Sequence, residues 1–196
     1  MSGKTGASNV AARFLPPDNA LATACVLVVC MVYLSTLAVN HSEAEDALYY
    51  AVDITRGSPT DVFHPNHLRF ASLNRLIFTV ASMLGYGGPT MPVMQLVNTL
   101  ASMVTLSVFY RILTLLRLPC LIKVVALLML AFSYGYWWYS VEGETYILPL
   151  PFVMLSVHRL VRILVSSRTS SHIMASSDVH TRERCCCINS MCCSAL

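Results

Sequence analysis

The chain has 196 residues, 56% of them hydrophobic and only 12% charged, where an ordinary soluble domain carries roughly 45–50% apolar and 25% charged residues. Its apolar residues fall in unbroken blocks rather than at one-face spacing, which excludes a water-soluble globule and predicts an all-α, polytopic bundle of transmembrane helices. The net charge of +3 is small and the basic residues are dispersed, so nucleic acid is set aside as a partner.

Residues 1–20 read as a cytoplasmic N-terminal segment carrying Lys4 and Arg13. Residues 21–39 supply 19 consecutive, mostly apolar positions, longer than the 7–15 of a cleavable signal and close to the ~20 needed to cross the hydrocarbon. An uncleaved signal anchor is expected. From His41 to Arg69 five acids (Glu43, Glu45, Asp46, Asp53, Asp61) oppose two bases (Arg56, Arg69), a net −3 that places this loop on the exoplasmic side. Within it Ser42 is a candidate cap for a short interfacial helix whose first turn holds Glu43, Glu45 and Asp46 and which stops near Gly57 and Pro59.

Further apolar segments are expected at about 67–84, 91–113, 121–139 and 146–164, the first two parted by Gly85, Gly87, Gly88 and Pro89. Arg111, Arg117 and Lys123 make a basic, cytoplasmic loop; Glu142 and Glu144 make an acidic one on the other side. Five full crossings would invert both loops. Four satisfy every loop if residues 67–84 lie along the interface or enter and leave on one side, and both arrangements stay open. Residues 166–196 form a Ser/Thr-rich tail with five of the eight cysteines in the last twelve residues. It cannot build a core, and its thiols are candidates for S-palmitoylation.

The chemistry concentrates after the first span. Glu43 and Asp46, three apart, share a helix face on which a carboxylate pair can hold a divalent cation or orient a hydroxyl for proton removal. His64 and His67 flank Pro65 and can bind an anionic phosphate or help hold a metal. On spacing alone plain solvation of a helix start is the commoner reading of such acids, and capping of the following helix at headgroup depth that of the histidines. Glu144, beside the last apolar segment, ranks above Glu142, for which loop solvation suffices.

The order of an N-terminal anchor, an acidic helix start running into Ala47-Leu48-Tyr49-Tyr50, a His64-Pro65 turn and the later Trp138 to Tyr146 stretch with Glu144 resembles GT-C glycosyltransferases. The nearest likeness is to the protein O-mannosyltransferase type and lipopolysaccharide-glycosylating relatives. The resemblance covers about residues 21–164 and implies a polyprenyl-phosphate-linked sugar donor. It also implies catalytic carboxylates among Asp46, Glu43 and Glu45, substrate contacts at His64, His67, Glu144 and Tyr146, and an endoplasmic reticulum or plasma membrane location. Such families have many more helices, so C-terminal helices or a partner subunit are expected beyond this N-terminal portion. The competing class is a non-catalytic multi-span scaffold or orphan fragment. A small transporter ranks third, because it needs ionisable residues facing a pathway within the spans, and only Arg75 and Lys123 are candidates for that.

Overall fold

The structure, a computed structural model, describes residues 18–41, 44–57 and 70–167. Among these the chain is all-helical. In chain order the helices are α1 (Asp18–Ser35), α2 (Glu45–Arg56), α3 (Phe70–Met83), α4 (Met91–Leu115), α5 (Cys120–Ala131), α6 (Tyr134–Val141) and α7 (Leu150–Ser167). By length and composition α4 and α7 can each cross a membrane, and α5 with α6 makes a third candidate span bent by 61°.

Three sequence expectations shift. The block 121–139, read as one span, is two helices, because Ser133 takes an extended backbone at the position before α6 in a stretch where Ser133 and Gly135 are weak helix formers. Helix α2 opens at Glu45, later than its acidic start suggests, behind Ala44, which gives no side-chain cap and is buried beside Ala47 and Met91. The last segment becomes helical at Leu150 rather than 146, where Pro149 and Pro151 suit a helix's first turn, whose N–H groups have no intrahelical partner.

Helix α4 is the hub: α1, α2, α3, α5 and α6 all pack on it. One reason is a polar stripe, Gln95, Asn98, Thr99, Ser102 and Thr105, every member buried at the three-and-four spacing that keeps small and amide side chains on one helix face. Across it Thr99 donates to the Ser140 carbonyl at 3.0 Å, and the Tyr136 hydroxyl donates to the Ser102 carbonyl at 2.7 Å. Around these bonds lies an apolar core of Val29, Tyr33, Leu106, Leu127, Ala131 and Ile147.

The two ends of the bundle differ. At one, Gln95 donates to the Ala38 carbonyl at 2.8 Å and the Ala38 N–H to the Val141 carbonyl at 3.3 Å. The C-termini of α1 and α6 and the N-terminus of α4 therefore meet there. At the other, the first turns of α1 face Tyr110 and Arg111, and Lys123 Nζ lies 5.2 Å from the Tyr110 ring centroid.

Helices α2 and α3 stay at the first end. Tyr50 and Ile54 pack with Phe70 and Met94, the Thr55 and Thr90 hydroxyls meet at 2.6 Å, and Arg75 donates to the Gly57 carbonyl at 3.0 Å. With 14 residues, α3 is about 21 Å long at 1.5 Å per residue, short of the ~30 Å hydrocarbon thickness. Its chain turns at Gly85, whose φ of 97° needs glycine, and returns to Thr90 at the same end. Helix α7 is nearly bare: 6% of its residues are buried, against 67% of the apolar stretch of α4. Phe152, Val153, Leu160 and Ile163 stand exposed along it, an apolar surface that calls for lipid or a partner.

Candidate functional site

The inner face of α2 is built from small side chains, Ala44, Ala47 and Ala51, and packs on Met91 of α4. The segment between α6 and α7 slots beside them at Gly143, where a Cβ would lie 2.7 Å from Met91 Sδ and 3.4 Å from Ala47 Cβ. This close approach sets Glu144 against the start of α2. Glu144 is only 6% exposed, and its carboxyl is pushed above its ordinary value, first by burial, then by the charges of Asp46 and Glu142. Hydrogen bonding from the backbone at Thr145 and Ala47 opposes the shift.

Tyr50 faces the same cluster. Its hydroxyl is pushed up to about 12, by burial first and then by Asp46, Glu144, Tyr146 and Asp53, so it remains a neutral donor near the acids at physiological pH. Tyr146 is exposed, and its ring lies 4.7 Å from that of Tyr139. Together these residues form an open, aromatic-edged patch with Asp46 on the outside and Glu144 beneath.

Four hydrogen bonds hold the segment in place. Asn98 donates from Nδ2 to the Glu142 carbonyl at 2.7 Å and to the Glu144 carbonyl at 2.6 Å. The Glu142 side chain, fully buried, accepts from the Gly143 N–H at 2.9 Å and pairs with His41 Nδ1 at 2.7 Å. The bridge to His41 ties the exit of α1 to the segment before α7. Asn98 Oδ1 and Glu142 Oε2 are buried acceptors that no donor among the described residues reaches.

Of the sequence candidates, Asp46 and Glu144 are brought together, while Glu45 is exposed on α2. Tyr146 borders the pair. Glu43, His64, Pro65 and His67 lie outside the described residues, as do Ser42 and the cysteine-rich tail. The proposed cation pair of Glu43 with Asp46 therefore rests on sequence; among the described residues no three His, Cys, Asp or Glu side chains gather as a metal cage.

Glu142, read as a solvated loop residue, is the fully buried one, because His41 and the Gly143 N–H compensate its burial. His41, Gln95 and Asn98 are additions to the site that the sequence reading passed over. The signal that finds the latter two is the polar stripe of α4, since amides at helical spacing in an apolar run mark a buried helix contact. No protein-family model, curated protein or solved structure matches the chain.

Proposed function

We propose that the chain is a multi-pass membrane protein that transfers a sugar from a polyprenyl-phosphate-linked donor at its acidic, exoplasmic face, as the GT-C resemblance implies. In this reading α1, α4, the bent α5–α6 pair and α7 cross the membrane. Helices α2 and α3 rest at the outer interface, and α3 enters and leaves on one side. That arrangement puts the acidic segments outside and Arg111, Arg117 and Lys123 inside.

One observation supports a catalytic role for the acids: Asp46 and the buried Glu144, distant in sequence, share a patch at the face where the donor phosphate would lie. A carboxyl raised by burial and a neighbouring charge is a stronger base than an ordinary one. Glu144 takes the proton of the acceptor hydroxyl as that oxygen bonds to sugar C1. The C1–O bond to phosphate breaks, polyprenyl phosphate leaves with the electron pair, and the anomeric centre inverts. Asp46 keeps Glu144 basic and orients the acceptor, and a divalent cation, if used, is held on the Asp46 side.

The test is transfer from labelled polyprenyl-phosphate sugar by the full chain in proteoliposomes. Glu144→Gln lowers the rate by about 10²–10⁴, the usual worth of a general base, while insertion is unchanged. Full activity in the double variant Asp46→Asn, Glu144→Gln refutes the assignment.

A further inference from the structure

At the end of the bundle away from the acids, α1 and α4 part to leave a cleft of about 610 Å³, within the size range of small-molecule sites. One wall, Ala22, Thr23, Val26 and Leu27 of α1, is apolar but for Thr23; the other is Ser107, Tyr110 and Arg111 of α4. Among the described residues no carboxylate lines it. Arg111 is exposed, makes no hydrogen bond or ion pair among the described residues, and stands four residues before the end of α4, about 6 Å at the helical rise. A second cation is close, because the Tyr110 ring that lines the cleft carries Lys123 Nζ at 5.2 Å from its centroid.

We propose that this cleft binds one anionic phospholipid of the inner leaflet, its phosphate on the Arg111 guanidinium and an acyl chain along Ala22, Val26 and Leu27. The inference rests on the membrane reading above, which puts Arg111 at the headgroup boundary on the basic, cytoplasmic side. Charge complementarity selects the headgroup: a guanidinium holds phosphate with paired hydrogen bonds, and Arg111 stands exposed at the cleft to do so. The apolar wall selects a lipid over free phosphate, since Leu27 is 60% exposed and gains by acyl contact.

The experiment purifies the full chain from vesicles of phosphatidylcholine with phosphatidylglycerol and counts retained lipids by native mass spectrometry. One phosphatidylglycerol is retained in preference to phosphatidylcholine. Arg111→Gln weakens that retention about fivefold, the worth of one basic side chain at an anionic surface. Arg111→Lys restores most of it, and Leu27→Trp, which fills the cleft mouth from an exposed position, lowers it without touching the charge. Equal retention of both lipids, or wild-type retention by Arg111→Gln, overturns the proposal. So does inorganic phosphate that displaces the lipid at millimolar concentration. Flotation with the vesicles separates the two claims: a chain that floats with neither composition contradicts the membrane reading, whereas one that floats and retains no anionic lipid contradicts this site alone.

Discussion

Removing the amide of Asn98 tests the latch over the acidic patch. Asn98→Ala deletes the bonds to the Glu142 and Glu144 carbonyls, 2.7 and 2.6 Å long, and leaves two backbone acceptors without donors. Each orphaned buried acceptor costs about 1–3 kcal/mol in a soluble core. Side-chain bonds in membrane bundles average nearer 0.6 kcal/mol, because the unfolded chain also finds partners. Two such bonds sum to about 1 kcal/mol on the membrane figure and up to about 6 kcal/mol on the soluble one. For a chain of this size each kcal/mol moves Tm by about 2–4 °C, so a fall of roughly 2–24 °C is expected by intrinsic fluorescence of Trp137 and Trp138 in detergent micelles. Asn98→Asp is worse than alanine, because a second acceptor then faces the two carbonyls. Ser156→Ala, which removes a bond within exposed α7, is the control and leaves Tm within about 1 °C. A Tm for Asn98→Ala equal to that of the control, or an Asn98→Asp variant as stable as wild type, refutes the latch.

His41→Ala strands the buried Glu142 carboxylate and costs about 2–4 kcal/mol, part of which the double variant His41→Ala, Glu142→Leu recovers; the Tm series of a double-mutant cycle checks both. Gly143→Ala places a Cβ 2.7 Å from Met91 Sδ, and since a methionine can give way the loss is about 1 kcal/mol, whereas Gly143→Val, which also crowds Ala47, loses more by the same melting assay. The folded-state pKa of Glu144 is raised above its ordinary 4.5, so the folded chain binds more protons than the unfolded one from there up to the raised value. Stability falls as pH rises through that window, Glu144→Gln flattens the fall, and pH-dependent melting reads both.

Much of the architecture was legible because helix breaks carry their own chemistry. Gly57 ends α2, the Gly85 to Pro89 run separates α3 from α4, and Pro149 and Pro151 bracket the start of α7. The break before α6 was not legible, since Ser133 and Gly135 weaken a helix without forbidding one. In the site, Asp46 announced itself through its acidic helix start and Glu144 through its position. The burial of Glu142 did not, because an acid in an acidic loop looks solvated until His41 and Asn98, remote in sequence, are seen to close on it. Asn98 and Gln95 could have been found from helical spacing alone, as polar positions recurring on one face of an otherwise apolar run.

The meeting of Asp46 with Glu144 at one membrane face, opposite Arg111, is tested most directly by site-specific thiol chemistry in sealed vesicles of known orientation. With the native cysteines replaced, Asp46→Cys and Glu144→Cys are combined and treated with a short, impermeant bifunctional thiol reagent. The expected result is an intramolecular cross-link formed from the exoplasmic side, with Arg111→Cys labelled only from the cytoplasmic side. Single-site labelling of Asp46→Cys and Glu144→Cys without a cross-link, or labelling of Arg111→Cys from the same face as Asp46→Cys, contradicts it.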